Sequence, residues 1–162
     1  MAPLLLHGTA WLAFAAYVGG TAAKLSGKKE AAFLWLWRGG ALLLLAHMLA
    51  AFHWRHNWSH AAAYADTARQ TREVTGIDWG GGVYFNYALL GLWLAEAFVW
   101  PPDLSVRQPR ARNWLAGYYA FMWFNATVIF GHGIVPWLGA LAFADLAVLA
   151  WKRRSSAITA TP

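Results

Sequence analysis

Long apolar runs alternate with short polar stretches along this chain. Five runs approach the roughly 20 residues that a helix needs to cross a bilayer. They cover about residues 3–25, 31–54, 82–100, 113–130 and 134–151. None shows the strict two-residue alternation of a half-buried strand. The pattern therefore predicts an all-α protein: a polytopic membrane bundle of about five transmembrane helices in a single domain. Pro3 is tolerated in a first helical turn, as is Pro136 near the start of the fifth run. Pro101-Pro102 is expected to stop the third run, and Gly131-His132-Gly133 to make a tight turn before the fifth.

The stretch 55–81 is different. Its segment SHAAAYADTARQTREVTG is polar but rich in helix formers. Ser59 suits an N-cap and Gly76 the position just past a helix end. This outer segment is expected either to continue the second helix or to lie on the surface after a break near residues 57–59. Gly80, Gly81 and Gly82 then allow a tight re-entry or the close approach of another backbone.

Composition agrees with a membrane bundle. The chain is 59% hydrophobic and 12% charged, against roughly 25% charged in soluble domains. Its 12 tryptophans and six tyrosines are expected at membrane interfaces, where an amphipathic ring is half wet. The chain has no cysteine, which removes disulfides, thiolate metal sites and covalent haem attachment. The first apolar run lacks the charged n-region of a cleavable signal and is long enough to remain a membrane helix.

The net charge of +6 is a matter of placement. Lys24, Lys28, Lys29, Arg107, Arg110, Arg112, Lys152, Arg153 and Arg154 fall on one side of the expected bundle, and only Arg55, Arg69 and Arg72 on the other. Basic residues accumulate on the cytoplasmic side. This orients the N-terminus outside and the C-terminus inside. It suits a bacterial inner membrane, with the lipid bilayer rather than nucleic acid as the partner of the basic residues.

All six histidines fall on the outer side in this topology. His53, His56 and His60 lie within roughly 60° of one another on a continuous helix, and Tyr64 extends their stripe. His56 and His60 are at i, i+4 and can share one metal ion. His47, His7 and His132 would be recruited from neighbouring helices. With no cysteine and few methionines, zinc, iron or Cu(II) suits such a site better than Cu(I). Asp66 and Asp78 are candidate extra ligands, although Asp66 points away from the stripe. Tyr84, Asn86 and Tyr87 are candidates to hydrogen-bond ligand imidazoles. Haem would require His47 facing His7 or His132 across the bundle.

Three ionisable residues lie inside the expected spans: Arg38, Glu96 and Asp145. Their depths from the inner side agree within roughly 5 Å at 1.5 Å per residue. They are expected to form a charge-paired layer, with a proton or ion relay as the alternative.

The pattern thus supports an outer-face, histidine-rich transition-metal site, redox or hydrolytic in use. Two alternatives come from other classes. One is a non-catalytic subunit of a larger membrane complex, or a homo-oligomer, since abundant Gly and Ala suit helix–helix packing. The other is a haem-binding electron carrier.

Overall fold

The computed structural model describes residues 2–27, 30–100 and 109–159. Pro101-Pro102, Lys28, Lys29 and Arg107 lie outside the described residues. Every regular element among the described residues is a helix. It comprises α1 (Ala2–Leu25), α2 (Glu30–Trp54), α3 (His60–Thr75), α4 (Gly82–Leu94), α5 (Pro109–Phe124) and α6 (Val135–Thr159). α4 and α5 each end in a π turn, Ala95–Val99 and Asn125–Ile129. In both, the amide just past the turn reaches back five residues: Trp100 N–H to Ala95 O and Phe130 N–H to Asn125 O, each at 2.8 Å.

Three stretches are long and apolar enough to cross a membrane: Glu30–Trp54, Gly82–Val99 and Val135–Ser156. α1 is also long, at 24 residues, and packs along α2 over its length. Glycine makes that packing close. A Cβ on Gly20 would sit 3.2 Å from Trp37 of α2, and a Cβ on Gly40 would sit 3.0 Å from Ala16 of α1. These contacts run antiparallel. α6 runs parallel to α1, with Phe14 against Phe143 at 6.3 Å and Arg153 donating to Lys24 O at 2.7 Å. α4 lies against α2, α3 and α5.

The centre of the bundle is aromatic. Trp93 is fully buried, and Tyr17, Trp37, Tyr119 and Trp123 are each at most 6% exposed. Their rings form one connected set with centroids 5.2 to 6.4 Å apart. Tilted and edge-to-face geometry dominates, as the ring quadrupole favours. The expected interfacial belt is therefore only part of the picture. Trp35, Trp114, Trp137 and Trp151 are strongly exposed, whereas Trp37, Trp93 and Trp123 build the core. Spacing separates them: Tyr119 and Trp123, like Trp93 and Ala97, are four apart and so share an inward helical face.

α3 forms as its caps predict. Ser59 is extended, at φ −93° and ψ 117°, and its Oγ accepts the Ala62 N–H at 3.2 Å. Gly76 takes the left-handed conformation at φ 79°, which a Cβ would disfavour. α2 does not continue into α3. Asn57 and Trp58 adopt positive φ, 47° and 58°, and turn the chain between the two helices. Gly80 then lets the returning strand of chain lie against the Tyr64 backbone, and Gly82 lies close to Thr67. Gly131 to Gly133 turn the chain into α6, with Gly133 at φ 61° and Pro136 in the first turn.

Candidate functional site

α1 and α4 begin, and α2 and the α5 π turn end, at one end of the bundle. His7, His47, His53, His56, His60 and His132 belong to this end. The break at Asn57–Trp58 removes the helical register that would have stacked His53, His56 and His60. His53 is exposed on the last turn of α2, edge-on to Trp54 and Trp58 at 5.1 and 6.1 Å. His56 sits in the turn, edge-on to Phe52 at 5.7 Å. Burial is the main influence on its imidazole and holds it below the ordinary histidine value. The smaller effects of Asp66 and Arg55 oppose each other. His132 is exposed in the α5–α6 turn.

His60 opens α3 and faces α4 instead. Its Nδ1 lies 3.0 Å from Tyr87 Oη and its Nε2 lies 3.3 Å from Tyr84 Oη. A neutral imidazole has one donor and one acceptor nitrogen, so one tyrosine donates to the ring and the other accepts from it. Both rings also pack on the imidazole, at 5.5 and 5.8 Å. Tyr64 joins Tyr84 edge-on at 6.4 Å. The tyrosines at 84 and 87 thus lock α3 to α4 through His60. Asn86, between them in sequence, is exposed.

His47 is half-buried between α1 and α2. Its Nδ1 lies 3.0 Å from Leu6 O and 3.4 Å from Thr9 Oγ1. A carbonyl only accepts, so the proton is on Nδ1 and Nε2 keeps its lone pair. His7, exposed on α1, is its electrostatic neighbour.

The carboxylates of this end are engaged by arginine. Asp66 accepts from Arg55 Nε at 2.8 Å, from Arg69, and from Gln70 at 3.1 Å. Partial burial alone would raise its carboxyl, but the two guanidiniums outweigh that and bring it from 3.8 to about 2. Asp78 pairs with Arg72 at 2.9 Å and does not fold over the histidines. Arg69 also bridges to Glu73 at 2.8 Å, one turn on. Among the described residues, no three His, Asp or Glu side chains gather into a group able to hold a metal ion. The expected histidine ligands are therefore dispersed: His47 near His7, His60 with its tyrosines, His56 in the turn after α2, and His53 and His132 exposed on separate elements.

The three ionisable residues of the spans do not pair with one another. Arg38 donates through Nε to Ala97 O at 3.2 Å and lies over the Phe98 ring at 5.9 Å. Glu96, in the π turn of α4, buries Oε2 without a hydrogen-bond partner. The Tyr119 hydroxyl is buried beside it and interacts with its carboxyl. Asp145 is exposed on α6 and makes no ion pair among the described residues. It sits within the apolar run 134–151, about 9 Å from its C-terminal end and about 16 Å from its N-terminal end at 1.5 Å per residue. On its face lie Leu141, 64% exposed, and Val148, 48% exposed. A lone carboxylate at the centre of a lipid-facing helix costs about 2.5–3.5 kcal/mol on insertion scales.

Asn125 and Thr127 are the polar side chains of the α5 π turn. Both bond back along their own helix, Asn125 Nδ2 to Phe121 O and Thr127 Oγ1 to Trp123 O, each at 2.7 Å. Thr127 also lies against α6, where a Cβ on Gly139 would fall 2.6 Å from its Oγ1.

The fold defines a class: an all-helical bundle with three helices of membrane-crossing length and apolarity. No protein-family model, curated protein or solved structure matches the chain.

Proposed function

We propose that this chain is a five-span integral membrane protein of a bacterial inner membrane, N-terminus outside and C-terminus inside. In this reading it serves as a non-catalytic subunit of a larger membrane assembly. The observation that carries the reading is Asp145. A carboxylate exposed within a span is tolerated when another membrane helix covers it and offers a donor. The aromatic core supports a scaffolding role, since rings from α1, α2, α4 and α5 pack on one another in a buried centre. The test is extraction of the tagged chain from its native membranes in a mild detergent after brief amine cross-linking. The reading expects the chain in particles of two or more chains in fixed ratio. Recovery of the lone monomer under these conditions would rule it out.

A second reading has its own observation. The Leu6 carbonyl fixes the His47 tautomer with Nε2 free, which is how second-shell carbonyls prepare ligand histidines. We infer a transition-metal site at the outer face on this ground, built on His47 and His7, with zinc, iron or Cu(II) as its ion. Elemental analysis and an absorption spectrum of purified protein, beside His47→Ala, test it. The reading expects near-stoichiometric metal that falls at least tenfold in the variant. A Soret band lost in the variant would replace metal with haem. Metal-free protein after reconstitution would rule out the metal.

A further inference from the structure

Asp145 is level with a cation on the far side of the same molecule. The register of α6 on α1 is set twice, by Phe14 against Phe143 and by Arg153 on Lys24 O. Both pairs are 129 residues apart, so Asp145 is level with Ala16. The register of α1 on α2 places Ala16 against Gly40. Arg38 is two residues from Gly40, about 3 Å along the helix axis at 1.5 Å per residue. Arg38 and Asp145 therefore share a depth in the membrane to within the reach of one arginine side chain. They do not meet within the molecule. α1 lies between α2 and α6 and packs on both, and Arg38 leans the other way, over Phe98.

Both groups are exposed. The guanidinium has five donors, and among the described residues only Nε has a hydrogen-bond partner. Any rotation about the membrane normal preserves depth. A second copy placed beside the first by such a rotation thus brings an Asp145 to the level of an Arg38. A partner of different sequence would need a cation at this level by a separate coincidence.

We infer that the chain self-associates in the membrane, with Asp145 on α6 of one copy seated against Arg38 on α2 of the next. This rests on the subunit reading above and names its partner. The exposed faces fit the role. Trp137, Leu141, Ala144, Val148 and Trp151 follow one another at alternating spacings of four and three on the exposed side of α6, the period of a left-handed helix pair. On α2, Trp35 and Leu42 flank Arg38 on its exposed side. The ion pair neutralises two charges that lipid alone would leave bare, and it sets the register between copies.

The experiment exploits the absence of cysteine from the chain. Two full-length chains with different tags, one carrying Leu42→Cys and the other Leu141→Cys, are co-expressed and oxidised in membranes. A disulfide-linked pair bearing both tags is expected, and it should fall at least tenfold when Asp145→Asn is added. Native mass spectrometry of the cysteine-free chain should show an oligomer, with Asp145→Asn and Arg38→Gln monomeric and equally helical. Arg38→Asp and Asp145→Arg chains should each be monomeric and should associate when mixed, because each supplies what the other lacks. An oligomer indifferent to Asp145→Asn would overturn the pairing. Assembly only with chains of other sequence would overturn self-association and leave the subunit reading standing. A monomer in every test would overturn both.

Discussion

The indole of Trp93 rests on Gly40. A Cβ built on that glycine would lie 2.6 Å from Cζ2 and 2.9 Å from Cη2 of the ring, with Ala16 only 3.0 Å away on the other side. Trp93 is fully buried and cannot swing aside. Gly40→Ala should therefore destabilise the bundle by about 1–3 kcal/mol, the usual cost of overpacking a filled core. Its neighbour Gly39 has nothing within 4 Å of an added Cβ. Gly39→Ala should be neutral, or stabilising by up to about 1 kcal/mol through helix propensity. Thermal unfolding of both variants in the same detergent checks the contrast.

His60 holds α3 onto α4 through two phenols. Tyr87→Phe removes the shorter bond, at 3.0 Å, and keeps the ring contact. A net loss of about 0.5–1.5 kcal/mol is expected. It should be felt locally, as amide exchange in α3 accelerated by roughly three- to tenfold, with exchange in the α1–α2 pair unchanged. Uniform acceleration across all helices would contradict this assignment.

Asp66 makes the α3 surface sensitive to acid. Its carboxyl is lowered from 3.8 to about 2, so the folded state binds the proton less readily than the unfolded chain. The stabilisation by Arg55 and Arg69 is complete above the unfolded value and lost as pH falls through about 2. Carboxyl chemical shifts should show Asp66 titrating near 2. In Asp66→Asn, the acid-induced loosening of α3 over that window should disappear.

Topology can be read with the same cysteine-free background. Ile77→Cys and His132→Cys should react with an impermeant maleimide from outside intact cells. Ser26→Cys should react only after the membrane is opened. All three positions are exposed. Labelling of Ser26→Cys from outside would reverse the orientation drawn from the basic residues.

Local chemistry was legible in the order of residues. The apolar runs foretold helices α1, α2, α4, α5 and α6 to within a few residues at most ends, because a long apolar helix satisfies its own backbone hydrogen bonds. Ser59 and Gly76 foretold both ends of α3, because caps act within one turn. The left-handed pair at Asn57–Trp58 was less legible. A break was one of two readings, and nothing in HWRHNWSH itself ruled out a continuous helix; closure of α3 onto α4 through His60 and Gly80 goes with it. That break is why a stripe of three histidines became three separate environments. A similar depth for Arg38, Glu96 and Asp145 was an expectation from counting residues along the helices. Which side of the bundle each one faces was not legible. That angle is set by how α1 inserts between α2 and α6 and by how Gly20, Gly40 and Gly139 let neighbours approach. The same packing sorted the tryptophans, turning Trp37, Trp93 and Trp123 inward and leaving Trp35, Trp114 and Trp137 outside. Composition alone holds no such information, because an indole has the same chemistry in a core and at a membrane surface.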